Sequence, residues 1–255
     1  MTTLFLSPHY DDAIYSCGGT IHTLTQGGAT AHVMTVMAGT PIPPLPDTPI
    51  VRDNHDRWQI GAQPVNARRA EDRTATALVG AQAHYLTIPD CIYRTYDDQA
   101  LYPTDESLWR APHAADHTLN RLRGIQIPDD VATIYAPLAV GNHVDHQIVR
   151  DWARALQSVG YTVYFYEDYP YLRQTAAVER AKAKLTSAGA RLQAQHTAFD
   201  EATMQAKIKA MRAYHSQITS FWESEAAVAA EVRATFASDD QTPAPYQERA
   251  WRIVD

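Results

Sequence analysis

Short apolar runs of β type alternate with longer stretches of helical period along the first two-thirds of the chain. The runs fall at Leu4 to Pro8, His32 to Met37, His84 to Ile88, Ala132 to Pro137 and Thr162 to Tyr166. Apolar runs of this length, bounded by polar or turn residues, predict strands. Between them, Gly19 to Gln26, Val65 to Val79, Ala114 to Arg123 and His143 to Ser158 carry helical spacing. The alternation predicts an α/β class: a mostly parallel sheet with helices on both faces. Such sheets bind ligands beyond the carboxyl ends of their strands. His9, Asp11, Asp12, Asp90, His143 and His146 each fall just past a predicted strand end, so one mouth can collect them.

Two segments break the alternation. Pro41 to Pro64 has five prolines in its first nine residues and no clear period, which predicts a long surface loop; Cys91 to Pro112 predicts a second. Both leave the same sheet edge as the chemical residues and can wall a pocket. Their aromatic residues suit either a substrate groove or a subunit interface, which leaves a homo-oligomer open. From Gln174 onward the chain is Ala-rich and mostly helical, with β-like alternation at Arg191 to Phe199 and Gln247 to Val254. No internal repeat and no compositional break appears, so residues 1–255 read as one domain.

Composition narrows the class of function. The 255 residues are 45% hydrophobic and 20% charged, ordinary values for a chain with a sizeable buried core. Net charge is −7 with Lys and Arg scattered, which argues against nucleic acid as a partner and favours a small polar molecule. Only Cys17 and Cys91 are present, and two cysteines cannot staple a chain of this size. The first residues lack the basic and apolar regions of a signal peptide, and no apolar run reaches membrane-spanning length, so the expectation is a cytoplasmic protein without membrane insertion.

The candidate chemistry lies in two segments. In Pro8-His9-Tyr10-Asp11-Asp12, the adjacent carboxylates cannot easily point the same way, so one can bind a metal while the other faces a bound water. Asp12 is assigned to the metal and Asp11 to the general base, since a carboxylate beside an activated water can accept its proton. In Gly141-Asn142-His143-Val144-Asp145-His146, a spacing of three puts His143 and His146 on one helical face. His146 is assigned to the metal, and His143 to the oxyanion or leaving amine of a tetrahedral intermediate. Asp145 is placed to tune a neighbouring imidazole. His9, Asp12 and His146 make a donor set suited to one zinc ion per chain with a fourth position open.

Two other classes compete. Asp11 and Asp12 after a first strand, with Asp90 past a later one, also suit a magnesium-dependent phosphoryl-transfer or receiver-like protein, but that reading leaves three histidines unexplained. The same scaffold can also serve as a non-catalytic sugar-binding module; Asp11, a base beside the metal, argues against it. Gly18-Gly19 is too short for a phosphate-cradling fingerprint and reads as close helix packing.

The His-x-Asp-Asp segment followed by Gly-Gly, with the later His-x-Asp-His, resembles the PIG-L/LmbE-like zinc-dependent N-deacetylases. Arg68-x-x-Glu71, Ile88-Pro89-Asp90 and the stretch from Lys207 to Tyr214-His215-Ser216-Gln217 extend the resemblance over most of the chain. It implies a Rossmann-like fold and removal of an N-acetyl group from an N-acetylglucosamine-containing glycoconjugate, with acetate and a free amine as products. It also implies zinc on His9, Asp12 and His146, Asp11 as base, His143 on the oxyanion, and Arg68 and Asp90 holding the sugar. Tyr10 stands where a proline is common and Ala13 where a glutamate often follows, departures that bear on substrate rather than on metal.

Overall fold

A computed structural model describes residues 1–58, 64–186, 189–238 and 244–254. The central sheet has seven strands in the order β3-β2-β1-β6-β7-β9-β8. Its parallel part comprises β1 (Thr2–Ser7), β2 (Thr30–Thr35), β3 (Gln82–Tyr85), β6 (Val131–Pro137) and β7 (Thr162–Tyr166). Beyond β7, the hairpin of β8 (Arg191–Phe199) and β9 (Tyr246–Val254) adds two antiparallel strands. This is the mostly parallel sheet that the alternation implied, and the Rossmann-like fold that the family resemblance implied.

The strand period of two divides the core. Phe5, Val33 and Tyr135 face one layer, packed by α1 (Asp12–Gln26), α8 (Glu201–Arg212) and α10 (Glu225–Phe236). Leu4, Leu6, Ile134 and Phe165 face the other, covered by α5 (Thr118–Arg123), α6 (Val144–Ser158) and α7 (Thr175–Leu185). Among the described residues no helix is long and apolar enough to cross a membrane.

Strand ends differ from expectation by up to three residues and α5 begins at Thr118 rather than Ala114; three larger differences lie near the carboxyl edge of the sheet. Helix α1 begins at Asp12 rather than Gly19, because Ala13 to Gly19 are buried on every side and show no one-faced helical period. The stretch 41–64 is not all loop: α2 spans Pro49–Trp58. Pro49 opens it, where a missing N–H costs nothing, and Ile50, Val51 and Trp58 are buried against Ile92, Tyr102 and Leu108. The second expected loop contains a short hairpin, β4 (Thr95–Tyr96) with β5 (Gln99–Ala100), and a single helical turn, α4 (Asp105–Leu108). Asp97 and Asp98, both at positive φ (47° and 59°), make its two-residue turn, as hairpin twist requires.

Two polar contacts hold α1 in place. The Lys207 ammonium, wholly buried, donates to the Tyr15 carbonyl (2.7 Å) and pairs with Glu248 (2.6 Å). Glu248 in turn accepts the main-chain N–H groups of Gly19 (2.9 Å) and Thr20 (2.7 Å). An α-helix assigns the Tyr15 carbonyl to the Gly19 N–H, so the ion pair engages both ends of that link. The approach is close enough that a Cβ on Gly19 would lie 2.5 Å from the Phe199 ring, consistent with the expected role of Gly18-Gly19 in close packing. At the other end of α1, the Tyr214 hydroxyl donates to the Tyr10 carbonyl (2.8 Å) and contacts Asp72 (2.7 Å). Asp72 lies on α3 (Pro64–Leu78) and also accepts from Tyr85 (2.8 Å).

Lys207→Met should therefore cost about 3–5 kcal/mol of unfolding free energy, the penalty for stranding a buried charge. A loss within the surface range of about 0.5 kcal/mol would show that Glu248 needs no cation. Burial pushes the Asp72 carboxyl up to about 7 against the two tyrosine hydroxyls that oppose the shift. Because its folded value lies above the unfolded one, the folded state holds a proton that the unfolded chain has released between about pH 4 and 7, and stability falls as pH rises through that window. Asp72→Asn should remove this slope, so that its melting temperature gains on the wild type between pH 5 and 7.5; a difference independent of pH would contradict the assignment.

Candidate metal centre

The end of β1, the N-terminus of α1 and the N-terminus of α6 meet at the carboxyl edge of the sheet. Asp12 opens α1, and its Oδ2 accepts the main-chain N–H of His9 at 2.7 Å. The same oxygen lies 3.3 Å from His9 Nδ1 and 3.3 Å from His146 Nε2. Ligand atoms of a tetrahedral zinc, with bonds of about 2.0–2.1 Å, stand about 3.3 Å apart. One carboxylate oxygen and two imidazole nitrogens thus suit zinc in donor chemistry, and the two distances to the carboxylate match its ligand spacing. A nitrogen of His143 also lies within 4.8 Å of one on His9 and one on His146. We favour Asp12 as the third donor because its oxygen contacts both histidines.

Carboxylates behind the two imidazoles determine which nitrogen faces the centre. His9 Nε2 is 3.0 Å from Asp145 Oδ2 and 3.6 Å from Asp90, leaving Nδ1 toward Asp12. His146 Nδ1 is 2.6 Å from Asp168 Oδ1, leaving Nε2 toward Asp12. Such carboxylate–histidine pairs orient metal ligands and raise their basicity. Burial opposes a charge on His146, but Asp12 and then Asp168 push it up to about 10. Against burial, Asp90 and the bonds to Asp12 and Asp145 likewise raise His9 well above its ordinary value. Burial raises Asp12, but His146 and His9 outweigh it and hold the carboxyl well below the usual range. The upward shift of both imidazoles reflects how strongly the surrounding carboxylates favour positive charge at this point, which a divalent cation would supply.

The remaining expected residues surround this centre. Asp11 is buried beside the Arg68 guanidinium (3.5 Å); burial, then Asp12, raises its carboxyl, with Arg68 opposing. Arg68 is stacked 4.8 Å from the Trp58 ring and 5.3 Å from that of Tyr10. His143 caps α6, its Nδ1 accepting the Asp145 main-chain N–H (3.3 Å). That contact assigns the proton of the neutral ring to Nε2. Burial, then His9, holds its pKa well below the ordinary value, so the ring is a neutral N–H donor. Asp90 lines the pocket and caps the next turn by accepting the Ile92 N–H (3.2 Å).

Asp145 does not line the pocket. It lies fully buried behind the centre, paired with Arg94, accepting the Cys91 N–H (3.1 Å) and touching His9. The imidazole that its carboxylate touches is therefore His9, 136 positions away, rather than a neighbour within its own segment. Two further residues escaped sequence reasoning. Arg94 also pairs with Asp116 (2.6 Å), and Asp168, fully buried, accepts the Val140 N–H (2.9 Å) while holding His146. Trp58, Trp109, Tyr171, Gln217 and Phe221 complete the pocket walls. Gln217 and Phe221 come from α9 (His215–Phe221), whose first turn is fastened by Glu71 accepting from the Ser216 N–H (2.9 Å) and hydroxyl (2.6 Å).

Residues 4–157 match the family profile described as PIG-L, GlcNAc-PI de-N-acetylase. A 2'-N-acetylparomamine deacetylase of Niallia circulans is 30% identical over 186 residues, 67% of this chain and 68% of that protein. Its counterpart in Streptomyces fradiae is 31% identical over 230 residues, 84% of this chain and 73% of that protein. Among solved structures, a zinc-inhibited form of a teicoplanin deacetylase superposes with a TM-score of 0.80 at 26% identity, covering 100% of this chain and 98% of that one.

Asp168→Asn should weaken zinc affinity by about 10- to 100-fold, as loss of a partner behind a ligand does. Competition with a chromogenic chelator measures it, and an unchanged affinity would leave Asp168 with only its bond to Val140.

Proposed function

The chain belongs to the PIG-L family of de-N-acetylases, and from that premise we propose that it is a zinc-dependent hydrolase that removes the N-acetyl group from an N-acetylglucosamine-containing glycoconjugate. The observation that carries the reading is Asp12 Oδ2, 3.3 Å from a nitrogen of each of two histidines, with Asp11 beside it. The family and the deacetylases similar to this chain support amide hydrolysis. Two nitrogen donors favour zinc over magnesium, which prefers oxygen ligands and keeps several waters.

When bound to His9, Asp12 and His146, zinc would polarise the acetamide carbonyl and bring the pKa of water toward neutrality. Asp11 takes the proton of the attacking water; its raised pKa makes it a better base than an ordinary carboxylate at neutral pH. Arg68, 3.5 Å away, opposes the rise that burial and Asp12 impose on that carboxylate. His143 offers its Nε2 proton to the oxygen on which negative charge develops. Collapse breaks the C–N bond, and Asp11 returns its proton to the departing amine. Acetate and a free amine result.

Arg68 and Asp90 are the proposed holders of the sugar hydroxyls, one a donor and the other an acceptor. Trp58, Trp109 and Tyr171 supply aromatic faces on which a sugar can stack. We read residues 1–255 as one catalytic unit, because α9, from the C-terminal third, contributes Gln217 and Phe221 to the pocket.

Acetate release from N-acetylglucosamine conjugates should stop on chelation and return with zinc. Asp11→Asn should keep zinc binding while turnover falls by about 10²-fold or more. Full turnover in that variant would remove Asp11 as the base, and chelator-resistant release would remove the metal.

A further inference from the structure

Two histidines outside the catalytic pocket face one another across neighbouring strands. His32 stands on β2 and His84 on β3, the edge strand of the sheet, where His84 is the register partner of Met34. Their side chains share one face of the sheet, because His32 and Met34 are two positions apart. His32 Nδ1 lies 2.8 Å from His84 Nε2, with ring centroids 4.8 Å apart and ring planes at 61°. His84 is exposed and His32 half-buried, so solvent reaches the pair.

The spacing discriminates between cations. With bonds of about 2.0 Å, donors at right angles stand about 2.8 Å apart, whereas tetrahedral donors stand about 3.3 Å apart. The catalytic centre has the longer separation, from Asp12 Oδ2 to each of its histidines, and the strand pair has the shorter. Right-angled imidazole donors suit tetragonal copper(II) or nickel(II), and affinity in the divalent series is greatest for copper. Burial, then His32, lowers the His84 pKa, which favours the neutral ring that a cation requires. Between neutral rings the shared proton can move to an outer nitrogen, which frees both facing lone pairs without loss of a proton. Hydrogen-bonded strands already hold the rings together, so chelation has little conformational freedom to remove.

We propose that His32 and His84 form a second metal site, which takes a tetragonal divalent cation, copper(II) in preference to nickel(II) and zinc, with water in the remaining positions. The bound ion ties the edge strand β3 to β2 on the side that solvent reaches, so it acts on stability and not on the hydrolytic step. A cation that binds only the folded chain raises its melting temperature.

The test adds copper(II) to the zinc-loaded protein in a buffer without coordinating groups. Electron paramagnetic resonance follows the bound copper, and elemental analysis follows the retained zinc. One equivalent of copper should bind while zinc is retained, with a tetragonal spectrum split by two nitrogens, and the melting temperature should rise. His32→Gln and His84→Gln should each weaken that binding by about 10²-fold, the scale of a second tethered donor, and abolish the rise in melting temperature. Nickel(II) and added zinc should bind the same pair more weakly than copper. Any of three results overturns the site: copper affinity unchanged in either variant, copper that enters only as zinc leaves, or zinc held by the pair more tightly than copper. None of these readouts depends on acetate release, so loss of the strand-pair site leaves the deacetylase reading standing, and an inactive protein leaves the copper titration decisive.

Discussion

Five carboxylates converge on two imidazoles, and the molecule is arranged to make that concentration of negative charge tolerable. Asp11, Asp12, Asp90, Asp145 and Asp168 arrive from four different segments, at the ends of strands whose separation the sheet sets. A buried charge is costly unless it is paired and hydrogen-bonded, and each of these is compensated. Asp145 has Arg94 and the Cys91 N–H; Asp168 has the Val140 N–H and His146; Asp90 has the Ile92 N–H; Asp11 has Arg68. Asp12 has the two histidines, and it is there that a divalent cation fits.

That arrangement depends on where α1 begins. A shift of one residue would carry one of the two aspartates into the other's place and turn the other away, and the proposed roles of base and ligand would be lost together. The helix is fastened at its start by the Ser7 hydroxyl, which accepts the Ala13 N–H (3.0 Å), and by Tyr214 on the Tyr10 carbonyl. One turn later Lys207 and Glu248 engage its backbone from α8 and β9. The antiparallel hairpin at the sheet edge, far in sequence from the site, thus supports the turn that presents the two aspartates.

Much of this was legible because the site residues stand directly after apolar strands, where the period of two ends and the chain turns toward the sheet edge. His9, Asp12 and His146 could be read as a set because imidazole and carboxylate are what zinc accepts. Asp168 could not: it sits in Tyr166-Glu167-Asp168-Tyr169-Pro170-Tyr171, a polar and aromatic run that resembles a rim, and the Val140 N–H and His146, both distant in sequence, turn its carboxylate inward. Arg94 and Lys207 were equally hidden, since a buried cation is defined by partners 51 and 41 positions away and leaves no local pattern. Helix α2 was obscured by the prolines before it, which mask a buried face made of only Ile50, Val51 and Trp58.

The two departures from the family pattern can be understood from the same packing. Tyr10 is 3% exposed, its hydroxyl donates to the Ala38 carbonyl (3.1 Å), and its ring lies under the Arg68 guanidinium. A proline there would fix the turn but leave Arg68 with one aromatic face instead of two. Ala13 is completely buried, so a carboxylate in its place would need its own cation rather than reach the pocket from where Ala13 stands. With no acid available from that position, the proposed function leaves discrimination between substrates to the walls: Trp58 from α2, Trp109 after α4, Tyr171 after β7 and Phe221 on α9. None of the four is among the proposed ligands, so under the proposed function a change at Trp58, Trp109 or Phe221 would reshape the pocket without moving Asp11 or Asp12, whereas Tyr171 shares its segment with Asp168, which holds His146.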